Sequence, residues 1–240
     1  MNTIEVCFTP KLYSEIITKK NFIVVMVDIL RASTSICAAF ENGVAAIIPV
    51  ATLEEAKAYK DKGYLVASER EGVVTGFADF GNSAFNFMTE AVRGKTIAYS
   101  TTNGTQAIEL AKNAQAMVIG SFSNITFLSK WLIQQNSNVV ILCAGWKNKF
   151  NLEDSIFSGA LTERLLQSTD FKMDCDAAEA ALDLWSIAKI NPLEYIQKAA
   201  HRRRLKKLNL DDVLEFTFQM DTANVVPLLK NGVMIGEKDI

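Results

Sequence analysis

Short β-branched runs recur along this chain, each followed by a polar loop and then by residues with helical spacing. That order leaves few folds open. Strands joined through helices run parallel, and a parallel sheet is buried on both faces, so helices must cover each side. The expected class is α/β: a three-layer α/β/α arrangement with a mostly parallel central sheet and a helix-rich C-terminal part. Phe22 to Val27 (FIVVMV) reads as a buried strand, Asp28 to Ser33 as its exit loop, and Thr34 to Asn42 as a helix closed by Gly43. Ala45 to Val50 and Tyr64 to Ala67 read as the next strands. Between them a Thr52/Glu55 capping box opens a helix that Gly63 ends. The pattern continues with strands at Thr96 to Tyr99, Ala116 to Ile119 and Asn138 to Cys143. A helix from Leu152 to Leu166, a helical tail through Gln219 and a final strand at Val225 to Leu229 complete it. No repeat, low-complexity tract or linker divides the chain, so a single domain over 1–240 is expected, with residues after about 150 able to form a helical lobe.

Composition narrows the function. Of 240 residues 49% are hydrophobic and 22% charged, which suits a large core and excludes a disordered chain. Lys plus Arg (25) nearly balances Asp plus Glu (27), a formal charge of −2. No global basic field exists to draw nucleic acid or a membrane surface, so any anion site is local. Cys7, Cys37, Cys143 and Cys175 form no CxxC pair, which points away from zinc and disulfide scaffolds and toward a reducing compartment. The N-terminus lacks the basic start and apolar core of a signal peptide. The most apolar run, Phe22 to Leu30, contains Asp28 and is far shorter than the ~20 residues of a membrane helix. A cytoplasmic protein is expected.

In an open parallel sheet the loops leaving the carboxyl ends of strands converge on ligands. Here they hold Asp28, Arg31, Ser33 and Thr34, then Glu69 and Arg70, then STTNGT (100–105), Ser121 to Asn124, and Glu153 with Asp154. Ser68 to Asn82 reads as a long loop, and long ordered loops tend to be functional. STTNGT, between a strand and a helix, offers hydroxyls, Gly104 and free amides to a phosphate or carboxylate, or merely caps its helix. GxxxxGK[ST] is absent. Asp28 after six apolar residues needs a cation, either Arg31 or a metal. Mg²⁺ takes oxygen ligands, and Asp28, Glu69, Glu153 and Asp154 are the strand-end carboxylates available. The DxDx[TV] phosphatase pattern fails at Leu30, and C-x5-R from Cys143 fails at Lys149, which leaves Cys143 as a small buried residue. His201, the only histidine, lies in AAHRRRLKKL, read as a solvated helix face, although Arg202 to Arg204 would also extend positive potential toward an anion. Trp131, Trp146 and Trp185 read as core or interface residues, and Asp221 as a site carboxylate or a turn former.

Taken together, VDILRASTS (27–35), SEREG (68–72), GFADFGNS (76–83), STTNGT (100–105), IGSFSN (119–124), CAGW (143–146) with Glu153–Asp154, and DTANVVP (221–227) resemble the 2-phosphosulfolactate phosphatase family. Glu71 stands where that family usually has glycine, and Ala84 where it usually has proline. The resemblance implies an α/β/α fold and Mg²⁺-dependent hydrolysis of (R)-2-phospho-3-sulfolactate to 3-sulfolactate and phosphate, a step toward coenzyme M. It implies Asp28, Arg31 and Asn103 as catalytic residues. Arg31, Ser33, Arg70, Asn82, Thr101, Thr102, Asn103, Gly104, Thr105, Ser121 and Asn124 are expected to hold substrate or phosphate, and Asp28, Glu69, Glu153, Asp154 and Asp221 the metal. Arg70, with Arg202 or Arg203, is the candidate for the substrate's carboxylate or sulfonate. The sequence leaves open whether water or Asp28 attacks. Expected partners are a small anionic phosphorylated substrate and, as the commonest assembly of soluble enzymes, a second copy in a homodimer, with neither nucleic acid nor membrane. A phosphatase for a related hydroxy acid and a non-catalytic phospho-ligand binder are the rival readings.

Overall fold

The computed structural model describes residues 1–16, 21–70, 72–100, 110 and 114–239, with the backbone alone at 15 and 16. Their strands are β1 (Asn2–Cys7), β2 (Phe22–Val27), β3 (Ala46–Pro49), β4 (Leu65–Arg70), β5 (Val73–Val74), β6 (Thr96–Ser100), β7 (Ala116–Gly120), β8 (Asn138–Cys143), β9 (Phe171–Met173), β10 (Val226–Lys230) and β11 (Val233–Glu237). They form one sheet in the order β5-β4-β6-β3-β11-β10-β7-β2-β8-β1-β9. β7, β2, β8, β1 and β9 are mutually parallel, and so are β3, β6 and β4. Between the two blocks lies the antiparallel hairpin β10–β11, which pairs antiparallel with β7 on one side and with β3 on the other.

This hairpin reverses the smaller block relative to the larger one. A flat sheet would then place the ends of β4 and β2 at opposite edges. Six strand-to-strand steps separate these two strands, and a twist of roughly 20–25° per step accumulates to about 120–150°. The reversed block is thereby turned most of the way back. The helix Ala32–Glu41 sits inside the resulting curl. Its Ile36, Cys37 and Phe40 share one core with Val24, Met26 and Leu142 of the larger block and with Ile47, Ala67, Ile97 and Tyr99 of the smaller. The helices Ile125–Gln135, Leu152–Leu165 and Asp176–Ala188 cover the other face, packing Leu128, Trp131, Ile156, Phe157 and Trp185 over Ile4, Val25 and Ile141. Helix, sheet, helix is the three-layer α/β arrangement the sequence predicts.

Several elements differ from expectation. β1 escapes notice because Thr3 and Glu5 interrupt its apolar residues, although the strand pairs with β8 and with the edge strand β9. β9 interrupts the helical tail with only three residues. The final strand is half of a hairpin, turned by Asn231 (φ 52°) and Gly232 (φ 80°); consecutive left-handed residues are what a two-residue hairpin turn requires. The stretch 68–82 is not one open loop. β4 runs on to Arg70, and β5 folds back to pair Val74 with Glu69 and Val73 with Arg70. The Thr52/Glu55 capping box is present as expected.

Candidate active site

The exit of β2 is built first by backbone capping. Asp28 follows six buried strand residues and is itself buried. Its own amide donates to Ser33 Oγ at 2.8 Å, and its carboxylate accepts from the Ala32 amide at the start of the helix Ala32–Glu41. Burial pushes the Asp28 carboxyl up to about 6, and the neighbouring Glu69 and Glu153 add to the rise. His201 and the Ala32 amide oppose it. A second carboxylate fixes the loop from behind. Asp154, in the first turn of the helix Leu152–Leu165, accepts the Ile29 amide at 2.9 Å and the Gly145 amide at 3.1 Å, one on each oxygen. It thus ties the exits of β2 and β8 to one helix end. Gly145 (φ 61°) turns the chain so tightly that a Cβ there would lie 2.3 Å from the Lys149 carbonyl oxygen. This turn presents Trp146.

The cavity at this edge is lined by Asp28, Arg31, Glu69, Asn82, Trp146, His201 and Arg204, with Leu30, Gly72 and Leu205. Asp28 and Arg31 come from the β2 exit, Glu69 from the end of β4, Asn82 from the segment after β5, and His201 and Arg204 from the helix Ala200–Lys207. Arg31 is only 5% exposed, and among the described residues its guanidinium forms no ion pair with a carboxylate. A buried cation so placed favours an anion in the cavity. Asn82 receives a short hydrogen bond on Oδ1 from the Tyr99 hydroxyl, which leaves its Nδ2 as the donor end. His201 Nδ1 lies 2.7 Å from Glu153 Oε1. A carboxylate only accepts, so Nδ1 carries the proton. His201 Nε2 lies 3.4 Å from Arg204 Nη1, and the imidazole is stacked on Trp146 with an interplanar angle of 16°.

Other residues singled out by sequence lie elsewhere. Ser33 holds the Asp28 amide. Ser121 and Asn124 form a buried cap in which Asn124 Oδ1 accepts the Ser121 amide and Nδ2 reaches the carbonyls of Ile119 and Val225. Arg70 donates to the Ser100 hydroxyl and the Glu69 carbonyl. Asp221 is exposed and takes the Thr126 amide and hydroxyl at 2.9 and 2.7 Å, capping the helix Ile125–Gln135. None of these lines the cavity. Thr101, Thr102, Asn103, Gly104 and Thr105, with the helix expected after them, lie outside the described residues. Cys143 is buried as expected, and burial with Asp154 nearby pushes its thiol far up.

Two readings are corrected here. His201 belongs to no solvated face: it is buried against Glu153. Arg202 is buried in an ion pair with Asp211 at 3.0 Å and Arg203 is exposed, so Arg204 is the arginine of the run that reaches the cavity. The sequence carried a signal for this. His201, Arg204 and Leu205 fall at i, i+3 and i+4, one face of a helix, with the sole histidine beside an apolar residue. Trp146 is half-buried in the cavity wall, whereas Trp131 and Trp185 are core.

Among the described residues no three His, Cys, Asp or Glu side chains gather into a metal cage. Among the described residues Asp28 and Glu69 are the carboxylates that line the cavity, Glu69 also accepting the Gly72 amide, while Glu153 is turned to His201 and Asp154 to two amides. One or two carboxylates completed by water and phosphate is the donor set of Mg²⁺, so these residues fit that ion and no soft metal. No helix among the described residues is long and apolar enough to cross a membrane.

Residues 7–232 match the 2-phosphosulpholactate phosphatase family. A protein of Caldanaerobacter subterraneus named probable 2-phosphosulfolactate phosphatase is 34% identical over 221 residues, covering 90% of this chain and 91% of its own. Proteins given the same name in Thermotoga maritima (35% identical, 88% and 90% covered) and Gloeobacter violaceus (35%, 85% and 86%) are similarly related. The protein belongs to the 2-phosphosulpholactate phosphatase family.

Proposed function

We propose that this protein is a Mg²⁺-dependent phosphatase that hydrolyses (R)-2-phospho-3-sulfolactate to 3-sulfolactate and phosphate, the reaction type that leads toward coenzyme M. The observation that carries the reading is the buried Arg31, without a carboxylate partner among the described residues and facing a cavity beside Asp28 and Glu69. A cation so placed holds a phosphoryl group, and its burial strengthens the attraction. Asn82 adds a neutral donor, oriented because Tyr99 occupies its acceptor oxygen. Asp28 and Glu69 are the residues that would hold Mg²⁺, which when bound neutralises phosphoryl charge and lowers the pKa of water. The Ala32 amide donates to the Asp28 carboxylate and helps to fix it at the β2 exit. His201 is the one imidazole in the wall, with Nδ1 on Glu153 at 2.7 Å and Nε2 3.4 Å from Arg204 Nη1.

The test is phosphate release from 2-phosphosulfolactate by the purified protein with Mg²⁺, with EDTA and with Asp28→Asn. Turnover that needs both the metal and Asp28 upholds the reading. Equal or faster turnover of phospholactate would keep the phosphatase and remove the named substrate. Absence of turnover with thermal stabilisation by either compound would make the protein a binder. Stereochemistry at a chiral phosphorothioate separates the two nucleophiles: inversion for direct attack by water, retention for an Asp28 aspartyl-phosphate.

A further inference from the structure

We propose that Tyr99 is a positioning residue: its hydroxyl fixes the Asn82 amide with the NH₂ end toward the cavity, where that end donates to an anionic oxygen of the substrate. This rests on the phosphatase reading above, in which Arg31 and Asn82 meet the phosphoryl group. Tyr99 is not among the residues that line the cavity, so it reaches the substrate through Asn82. Two buried asparagines of this protein use their amides differently. Asn124 engages both ends inside the protein, Oδ1 accepting the Ser121 amide and Nδ2 reaching the carbonyls of Ile119 and Val225. Asn82, only 7% exposed, engages one. Its Oδ1 accepts from the Tyr99 hydroxyl, and its Nδ2 forms no hydrogen bond among the described residues. Nearly all buried polar groups have partners. A buried NH₂ group without one, in a cavity wall that also holds Arg31, points to a ligand with acceptor oxygens.

The surroundings of Tyr99 hold that orientation. Its ring is buried and meets Phe87 edge-on, with centroids 5.9 Å apart and an interplanar angle of 88°. Burial pushes the phenol far above its usual range, Asp28 and Glu69 add to the rise, and Arg31 and Ser35 oppose it, so the hydroxyl keeps its proton. A carbonyl oxygen only accepts, and a hydroxyl that donates to it therefore decides which end of the amide is left for the cavity. The backbone of Asn82 is tied separately: Ser35 Oγ lies 3.0 Å from the carbonyl oxygens of both Asn82 and Arg31. Asn82 is thus joined to the Arg31 loop through Ser35 and to β6 of the smaller block through Tyr99. With the amide reversed, a carbonyl oxygen would face the anion beside Asp28 and Glu69 and repel it.

The test is a double-mutant cycle of Tyr99→Phe and Asn82→Ala. It is read in phosphate release from 2-phosphosulfolactate with Mg²⁺ and, separately, in calorimetric binding of orthophosphate with Mg²⁺. Phenylalanine keeps the ring against Phe87 and removes the hydroxyl alone. Tyr99→Phe is expected to raise KM and the orthophosphate Kd together by about 5- to 20-fold, most of one hydrogen bond to a charged group, with kcat changed by less than about threefold. Asn82→Ala should raise both by about 10- to 100-fold, and Tyr99→Phe added to it by no more than about twofold further. Asn82→Ser takes the place of Asn82→Ala if the latter does not fold. Coupled losses uphold the role, because a residue that only supports the fold would weaken the site whether or not Asn82 is present. Additive losses, an unaltered KM in Tyr99→Phe, or a fall in kcat with orthophosphate affinity intact would overturn it. The binding arm stands apart from turnover. Should wild type release no phosphate, the phosphatase reading fails, while coupled losses of orthophosphate binding still support Tyr99 and additive losses, or none, remove it.

Discussion

Asp28 is where function and stability pull apart. Its carboxyl is raised by burial to about 6 from an ordinary 3.8, so the folded state holds this proton more tightly than the unfolded chain. Its contribution to stability is full below about pH 4 and is lost as pH rises through about 6. A shift of this size corresponds to roughly 3 kcal/mol against folding at neutral pH. Asparagine keeps the acceptor for the Ala32 amide without the charge. Asp28→Asn should therefore abolish phosphate release and yet raise the Tm of the metal-free protein at pH 7.5 by several degrees, the usual trade at a functional site. Mg²⁺ should stabilise wild type and leave the variant unmoved. A scanning calorimetry result in which the variant melts lower at pH 7.5 would show that the charged carboxylate is welcome in the free site, with Arg31 as its partner. Asp28 was legible in sequence because an acid directly after FIVVMV has no apolar explanation. Trp146, in the turn after β8, was not, and His201 and Arg204 showed only as an i, i+3 pair among four basic neighbours that mask the helical face tertiary packing buries.

At the level of elements, Asp154 decides whether the β2 and β8 exits stay in register. Each carboxylate oxygen takes one buried amide, from Ile29 and from Gly145. Asparagine has one acceptor oxygen, so Asp154→Asn leaves one amide facing an NH₂ group. The expected cost is about 1–3 kcal/mol in urea unfolding, with a fall in kcat because Asp28 and Trp146 follow these two loops. If Asp154 were instead a metal ligand, as its place in sequence suggested, the variant would lose Mg²⁺ affinity with its unfolding free energy intact. The same distinction shows why elements were easier to read than roles. Parallel strands buried on both faces are continuous β-branched runs, and β2 and β8 fall where those runs do. Whether a carboxylate at a strand end serves a metal or an amide depends on which backbone groups a distant element delivers, and spacing carries no record of that.

At the scale of the molecule, the β10–β11 hairpin is what makes one sheet of two parallel blocks. Without it β3 and β7 would present open edges, and the smaller block, which supplies Glu69, would meet the larger, which supplies Asp28, through packing such as the shared core around the helix Ala32–Glu41 and not through strand pairing. The turn at Asn231–Gly232 is the kind of signal a sequence announces, an Asn-Gly pair between apolar strands. Its consequence for topology is not, because pairing partners of the two strands lie about 180 residues upstream in β3 and about 110 in β7. Gly232 has φ 80°, where a β-branched residue is strained. Gly232→Val is expected to lower the unfolding free energy by about 1–3 kcal/mol. Because the hairpin lies between the blocks, that loss should appear equally on both sides. Hydrogen exchange of β4 and β6 amides should accelerate by the same factor as that of β2 and β8, in step with the fluorescence of the core tryptophans Trp131 and Trp185. Faster exchange confined to β4 and β6 would show that the smaller block opens by itself, and that the site loses Glu69 before it loses Asp28.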